Sequence, residues 1–198
     1  MRKSDFDEAI SLWAEWNAKI NVVSRKDIDN LYEHHILHSL AIAEFLERSG
    51  HGGFAPAEKV LDLGTGGGFP GIPLAMKYPQ TSFTLCDSIA KKIRVAEAVS
   101  TGLGLRNVRC VNARAESLPE VFDWVVSRAV TSLDNFYPWV RGKYNKGILY
   151  LKGGDVGEEI SALCRNRGVA PAKITVWPIS DWLGDEYYIE KFVILIRK

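Results

Sequence analysis

Glycines that follow a short apolar run are the residues of this chain best suited to bind a small molecule. The run Val60–Leu63 predicts a strand, and residues 64–68 read Gly-Thr-Gly-Gly-Gly, which predicts a turn before a helix. Open α/β sheets bind their ligands beyond the carboxyl ends of the strands. Glycine lets the chain turn tightly and lets a ligand approach the backbone with no Cβ in the way. We therefore expect a ligand site at Gly64 and the loop around it.

Acidic residues at the ends of the first two predicted strands narrow the class of ligand. Residues 62–68 read Asp-x-Gly-x-Gly-x-Gly, whereas dinucleotide sites read G-x-G-x-x-G/A, and the bulky Phe69 departs from that pattern. The acid at position 62 suits a methyl donor that carries an amino acid, because the ammonium group needs a carboxylate. Asp87, after the second strand, suits the two hydroxyls of a ribose, as it would in a nicotinamide enzyme. Asp87 could alternatively cap the helix that begins near Ile89.

Charged residues also follow the third and fourth predicted strands. Arg114-Ala115-Glu116 comes after the third strand, where an adenine ring would lie in such a site. Ser127-Arg128-Ala129 comes after the fourth strand, on the rim that a methyl acceptor must reach. An arginine can be an ordinary surface charge, but a strand end in this fold favours a functional role for Arg128.

The chain lacks the residues that two classes of methylation chemistry require. Enzymes that methylate exocyclic amines of adenine or cytosine carry a polar residue, two prolines and an aromatic after the fourth strand, whereas residues 127–130 read Ser-Arg-Ala-Val. Methylation of cytosine C5 needs an activated cysteine in that part of the sheet. The three cysteines lie on the second strand, the third strand and a late helix: Cys86, Cys110 and Cys164.

The elements that must position these residues alternate between short apolar runs and amphipathic stretches, which predicts a parallel sheet wrapped by helices. Strands are predicted near Val60–Leu63, Ser82–Cys86, Val108–Val111, Trp124–Ser127, Ile148–Leu151, Ile174–Pro178 and Tyr188–Arg197. Helices are predicted near Ile72–Lys77, Ile89–Leu103, Leu133–Tyr144 and Val156–Arg167. The last two strands have only a loop between them, which suits an antiparallel pair. We expect an α/β fold with a Rossmann-like sheet of seven strands, mostly parallel with one reversed strand.

A helical extension precedes this α/β part. Apolar residues at three- and four-residue steps predict one helix over Phe6–Ile20 and a second that Asp27 caps and that ends at Ser49-Gly50. The segment His51–Pro56 contains the glycines and proline typical of turns, and it separates the extension from the rest of the chain. We expect a single domain over residues 1–198, with the extension in residues 1–50 and the ligand-binding core in residues 57–198.

Composition sets limits on size, location and partners. The chain has 198 residues, of which 46% are hydrophobic, which suits one substantial core. Its longest apolar run, Phe192–Ile196, is far shorter than the roughly 20 residues of a membrane span. The start mixes acids with bases and predicts no signal peptide, so we expect a cytoplasmic protein with reduced thiols. The net charge of +1 does not distinguish nucleic acid from other partners, although short basic clusters occur, one of them over Arg141–Lys146.

The chain resembles the glucose-inhibited division protein B family, the bacterial 16S ribosomal RNA (guanine-N7)-methyltransferases, over nearly its whole length. The resemblance depends most on the continuation Gly68-Phe69-Pro70-Gly71-Ile72-Pro73 and on motifs in the two helices ahead of it. Matching residues are Trp16-Asn17, Asn21, Arg25-Lys26-Asp27, His35-Ile36-Leu37, Ser39, the loop from Asp62, Leu85-Cys86-Asp87-Ser88, Lys91-Lys92, Arg114-Ala115-Glu116 and Ser127-Arg128-Ala129.

The resemblance implies a donor, a substrate and a set of site residues. The donor is S-adenosyl-L-methionine, and Gly64, Phe69, Ala115, Glu116 and Arg128 contact it, to which the ribose argument adds Asp87. The substrate is 16S ribosomal RNA or a small ribosomal subunit precursor, and the protein is expected to be a monomer. The candidates for RNA contact in the extension are Asn21, Arg25, Lys26 and His35.

One position departs from the family pattern, because His38 stands where many members have Asp. His34 and His38 are four residues apart on one predicted helical face, but no further ligand completes a metal site, so we assign no metal. Guanine N7 is unprotonated near neutral pH and can attack the methyl group without a general base, which fits the lack of a catalytic triad. Arg128 is expected to orient the donor or a phosphate.

Three other functions stay open at this level. A methyltransferase of small molecules would suit the weak net charge. A nicotinamide-dependent oxidoreductase would share the fold and Asp87, although the loop disfavours it. A non-catalytic RNA-binding module could have kept the fold, although the intact loop and Arg128 argue against it.

Overall fold

The computed structural model describes all residues, Met1–Lys198, and places seven strands in one sheet. The strands are β1 (Lys59–Leu63), β2 (Ser82–Asp87), β3 (Val108–Asn112), β4 (Phe122–Arg128), β5 (Tyr144–Gly153), β6 (Ile174–Pro178) and β7 (Lys191–Arg197). Their spatial order is β3-β2-β1-β4-β5-β7-β6, and only β7 runs antiparallel to its two neighbours. The predicted mostly parallel sheet with one reversed strand is confirmed.

The apolar runs form the central strands because both faces of the sheet are covered. Leu61 in β1, Val125 in β4 and Leu149 in β5 are fully buried, as the doubly covered strands of a parallel sheet require. The apolar run Phe192–Ile196 forms most of β7. The prediction that this last strand starts at Tyr188 is wrong, because Glu186–Tyr188 is a 3₁₀ turn.

Six α-helices accompany the sheet. They are α1 (Asp7–Lys19), α2 (His38–Arg48), α3 (Gly71–Lys77), α4 (Ala90–Gly102), α5 (Leu133–Val140) and α6 (Val156–Arg167). The predicted helix to Tyr144 is too long, because α5 ends at Val140 in a turn with Arg141 at a ψ of 123° and Gly142 at a φ of +82°. Tyr144 already pairs with β4. As a result β5 has ten residues and begins well before the predicted Ile148.

The second predicted helix of the extension is not one α-helix. A 3₁₀ turn over Ile28–Asn30 leads into a π-helix over Leu31–Leu37, and α2 begins only at His38. Asp27 makes no capping hydrogen bond, so the prediction that its side chain caps the helix is wrong. Its carboxylate binds two histidines of the π-helix instead. π-Helical turns occur mostly as local insertions at functional sites.

The extension packs on one face of the sheet and shares a core with it. Phe6, Trp13 and Ile36 belong to the same buried cluster as Phe83 of β2 and Trp124 of β4. A second cluster on the opposite face is covered by α5 and α6. Burial of each large side chain contributes on the order of 1.5–3 kcal/mol, so the extension is held by several such contacts. None of the helices combines the length and apolar character that crossing a membrane requires.

Candidate functional site

A cavity of about 400 Å³ opens at the carboxyl ends of β1, β2, β3 and β4. This is the edge at which open α/β sheets bind ligands, and the volume falls within the range of small-molecule sites. Five of the six residues predicted to bind the donor line it: Gly64, Asp87, Ala115, Glu116 and Arg128. Sequence positions up to 64 residues apart are therefore brought to one site by the topology of the sheet.

The glycine loop lies tightly under this cavity. Gly64 has a φ of +73°, and its N–H donates to the Cys86 carbonyl at 2.8 Å. A Cβ at this position would lie 2.3 Å from the Cγ2 atom of Val130, which also lines the cavity. Only glycine therefore fits both the backbone angle and the space.

Asp87 joins the glycine loop to the helix that follows β2. Its Oδ2 accepts a hydrogen bond from the Gly66 N–H at 3.0 Å, and its Oδ1 accepts one from the Ile89 N–H at 2.9 Å. The alternative interpretation of Asp87 as the helix cap is wrong, because Ile89 is the N-cap residue of α4 and no side chain caps this helix. The Asp87 carboxylate lines the cavity and holds the backbone just before the helix. Each carboxylate oxygen has a further acceptor position. The side chain can therefore hold the loop and accept hydroxyl donors at the same time.

The wall beyond β3 consists of a 3₁₀ turn over Ala115–Ser117. Ala115 is buried in it and Glu116 is exposed, and both line the cavity. The indole of Trp139, from α5, lines the cavity as well. Sequence analysis missed Trp139, because an aromatic residue in an amphipathic helix carries no signal that separates a site residue from a core residue.

Asp62, the acid at the end of β1, is completely buried behind the loop. Its Oδ2 accepts hydrogen bonds from the Thr65 hydroxyl at 2.6 Å and from the Gly71 N–H at 2.8 Å, and its Oδ1 has no partner. This geometry differs from the expectation that the acid meets an ammonium group, since Asp62 does not line the cavity. The carboxyl group holds the glycine loop against α3 instead.

Burial raises the pKa of the Asp62 carboxyl from 3.8 to about 7, against hydrogen bonds that lower it. Between about pH 4 and pH 7 the folded protein therefore holds a proton that the unfolded chain has lost. The free energy of unfolding should fall with rising pH through this window, by on the order of 1 kcal/mol per pH unit from this group.

Replacement Asp62→Asn should remove this pH dependence. Asn keeps an oxygen acceptor for the Gly71 N–H and carries no charge. We expect its stability relative to the native protein to increase from pH 5 to pH 7, as measured by urea unfolding. The exposed Asp29→Asn variant controls for the general loss of a negative charge. A constant difference between native protein and Asp62→Asn over this range would contradict the prediction.

Arg128, at the end of β4, is held by residues of the N-terminal extension. Its Nη2 donates to His35 Nδ1 at 3.0 Å, and the His35 Nε2 lies 2.6 Å from Asp27 Oδ2. Arginine has only donors and an ionised carboxylate only acceptors, so His35 must be neutral with its proton on Nε2. His34 Nδ1 donates to the other oxygen of Asp27 at 2.5 Å. We call Arg128, His35, Asp27 and His34 the arginine relay.

The surroundings of the relay keep His35 neutral. The side chain of His35 is only 13% exposed, and burial together with the charge of Arg128 lowers its pKa to about 4. At neutral pH it therefore accepts from Arg128 and donates to Asp27 without changing charge. This placement makes His35 a support for Arg128, whereas sequence analysis proposed it as an RNA contact.

Phe69 lies beneath Arg128 and does not line the cavity. The Arg128 guanidinium carbon is 5.0 Å from the centre of its ring, and the Trp13 ring stacks on it at 4.3 Å. The Trp13 Nε1–H donates to the Gly67 carbonyl at 2.7 Å. The extension thus supports both the glycine loop and Arg128.

The other predicted RNA contacts lie in the segment between α1 and the π-helix. Asn21, Arg25 and Lys26 are all exposed there, immediately before Asp27. His38 is buried, and His34 stacks on Tyr187 with ring centres 3.5 Å apart. No group of three or more His, Cys, Asp or Glu side chains has a spacing that could hold a metal ion.

Comparison with known proteins adds a family to this geometry. Residues 2–175 match the family model described as GidB, rRNA small subunit methyltransferase G. Proteins named ribosomal RNA small subunit methyltransferase G are similar to the chain throughout. That of Christiangramia forsetii is 46% identical, covering 98% of this chain and 89% of the relative, and that of Bacteroides thetaiotaomicron is 49% identical, covering 98% and 91%. That of Cytophaga hutchinsonii is 53% identical, covering 78% and 76%.

Solved structures with little sequence identity share the fold. Magnesium protoporphyrin IX methyltransferase from Synechocystis PCC 6803, with bound SAM, superposes with a TM-score of 0.67 at 13% identity, covering 99% of this chain and 95% of that chain. An O-methyltransferase from Thermotoga maritima gives a TM-score of 0.62 at 16% identity, covering 87% and 69%. These likenesses support the sheet architecture independently of the sequence matches.

Proposed function

The chain belongs to the small-subunit ribosomal RNA methyltransferase G family, and from this we propose that it transfers the methyl group of S-adenosylmethionine to N7 of a guanine in 16S ribosomal RNA. The single structural observation that supports the proposal best is the cavity at the strand ends, lined by the glycine loop and Asp87. Its volume, its carboxylate and its apolar walls fit a nucleoside that carries an amino acid.

The donor would lie along the strand ends from β1 to β3. In this arrangement Asp87 accepts the ribose hydroxyls, and Ala115 and Glu116 flank the adenine. The backbone at Gly64 meets the methionine part, where a side chain would block it. Phe69 contributes to the donor site through Arg128, whose guanidinium lies over its ring.

The chemistry needs positioning more than proton transfer. The N7 lone pair forms a bond to the methyl carbon while the bond from carbon to sulfur breaks, so the sulfur takes the electron pair and the base becomes cationic. Holding the two reactants in line can supply roughly 7–11 kcal/mol in well-oriented systems. Arg128 is fixed by the arginine relay at the rim of the cavity, where it can orient the donor or an RNA phosphate. In this arrangement Arg128 does not bind both O6 and N7 of the target guanine, since that pairing would occupy the nucleophile.

The RNA would approach over the exposed segment of the extension. Asn21, Arg25 and Lys26 are the contacts that we propose there, next to the relay residue Asp27. The substrate is 16S ribosomal RNA or a precursor of the small ribosomal subunit. We further propose that residues 1–198 form one domain, which is supported by the core that the extension and the sheet share. We also propose that the protein is a monomer and acts in the cytoplasm.

The proposal is tested with labelled donors and purified protein. We expect calorimetry to show binding of S-adenosylmethionine and none of NAD, and we expect labelled methyl transfer to small ribosomal subunits or 16S RNA. Large subunits and 23S RNA serve as matched controls for non-specific transfer. Donor binding without transfer to any RNA, but with transfer to a small molecule, would contradict the proposed substrate class. Binding of NAD in place of the methyl donor would contradict the proposed reaction.

A further inference from the structure

A second concave surface lies at the opposite end of the sheet from the candidate active site. It has a volume of about 380 Å³ and lies where β5 and β6 begin and β7 ends. We call it the basic groove, because four of its ten lining residues are cations and none is acidic: Arg141, Lys173, Arg197 and Lys198. The sequence cluster over Arg141–Lys146, which the candidate active site does not use, supplies the first of these residues.

The cations of the groove have no carboxylate partners. None of the four takes part in any of the ion pairs of the molecule. Arg197 donates to the Ala172 carbonyl and the Thr175 hydroxyl, and Lys198 donates to the Tyr144 carbonyl. Arg141 and Lys173 are exposed and are free of such bonds. The groove therefore combines two anchored cations with two that are available to a ligand.

Negative charge from the surrounding structure offsets only part of the positive charge of the groove. The carboxyl ends of α5 and α6 lie beside Arg141 and Gly168, and each helix end carries roughly half a negative charge. Together they offset about one of the four positive charges. About three positive charges remain in one concavity of a chain whose net charge is only +1. Clefts lined by one sign of charge concentrate ligands of the opposite sign.

We propose that the basic groove binds the phosphate backbone of the RNA substrate, as a second contact separate from the donor cavity. This inference rests on the proposed function for the identity of the RNA. In β5, Tyr144 lies at the groove and Leu151 pairs with Arg128 at the cavity. Seven residues of strand span about 23 Å, so the two contacts fall on different parts of a folded RNA. An RNA longer than about 23 Å can reach both at once, whereas a hairpin shorter than that cannot.

The double variant Arg141→Gln/Lys173→Gln tests the proposal and removes the two available charges. We expect its affinity for 16S RNA to fall about 10-fold at moderate salt. We expect the slope of log affinity against log salt to lose about 1.4–1.8, the value for two phosphate contacts. Donor affinity and the rate at saturating RNA should stay unchanged, since neither residue lies at the donor cavity. A short hairpin carrying the target base should bind both proteins equally.

The matched control is Lys59→Gln/Arg106→Gln, which removes two exposed charges from the same end of the sheet, in a concavity that contains Glu120. If both double variants weaken RNA binding equally, the loss reflects the overall electrostatic field of the protein, and the groove is not a specific RNA site. If Arg141→Gln/Lys173→Gln binds free 16S RNA normally and only the assembled subunit weakly, the partner is an acidic protein and the RNA proposal is overturned. RNA binding is measured separately from methyl transfer. If the protein binds RNA through the groove but methylates no RNA, the proposed function is overturned and the groove proposal stands.

Discussion

Arg128→Ala is expected to lower methyl transfer to ribosomal RNA by about 100-fold or more, because Arg128 is a charged donor fixed at the rim where donor and acceptor meet. Removal of one preorganised donor at a reacting centre commonly costs 10²–10³ in rate. The variant also loses its hydrogen bond to His35, which costs on the order of 1–3 kcal/mol of folding free energy. Single-turnover transfer should therefore be measured at low temperature, where a thermal melt shows the variant to be folded.

Companion variants separate the function of Arg128 from its part in the fold. Arg128→Lys keeps the charge but loses the planar fork, so it should restore little transfer. His35→Asn offers an oxygen acceptor near the position of Nδ1 and should retain most transfer, whereas His35→Leu should lose most of it. Equal transfer by His35→Asn and His35→Leu would show that the relay does not position Arg128. Near-normal transfer by a folded Arg128→Ala would remove Arg128 from the site.

Gly64→Val is expected to weaken the binding of S-adenosylmethionine at least about 100-fold, which corresponds to about 2.7 kcal/mol. The Cβ of the new side chain would lie 2.3 Å from Val130 Cγ2, and Gly64 and Val130 both line the cavity. Relief of this contact requires Val130 or the glycine loop to shift, and both line the cavity. Calorimetry with the folded variant measures the loss.

A second glycine variant controls for backbone strain. Gly104 has a φ of +64° and nothing within 4 Å of an added Cβ, and it lies after α4, away from the cavity. Gly104→Val therefore imposes a similar penalty of about 1–2 kcal/mol for a left-handed residue without touching the site. We expect both variants to melt earlier and only Gly64→Val to lose the donor. Unchanged donor affinity in Gly64→Val would show that the site is placed wrongly.

The sheet could be predicted from the sequence because its signals are local. Apolar runs separated by amphipathic stretches predict every strand and its approximate position, and the absence of a predicted crossover helix before the last strand predicts the reversed strand. The errors lie at the ends of helices and strands, where the backbone angles of one or two residues decide where an element stops. The turn at Arg141 and Gly142 ends α5 and lets β5 begin at Tyr144, and neither consequence follows from apolar periodicity.

The cavity could be predicted for the same reason that the fold could. In a parallel sheet the carboxyl ends of the strands meet at one edge, so residues just after each strand are neighbours. This rule places Gly64, Asp87 and Arg128 together without any knowledge of side-chain contacts. Trp139 approaches from a helix, where no comparable rule exists.

The arginine relay could not be predicted, because it depends on contacts between distant parts of the chain. His35 and Arg128 are 93 residues apart, and the π-helix that places His35 has no known sequence signal. For the same reason Asp27 was interpreted as a helix cap from its local sequence alone. Asp62 shows the converse case, in which a correct position at the strand end did not reveal that its side chain is buried.

The atom that receives the methyl group tests the proposed function most directly. Methylation at N7 makes guanine cationic, so that reduction with borohydride followed by treatment with aniline cleaves the RNA strand at that base alone. Small-subunit RNA incubated with the protein and S-adenosylmethionine should therefore show one cleavable guanine, absent without the protein and absent with Gly64→Val. A methylated adenine or cytosine, with no cleavable guanine, would contradict the proposed function.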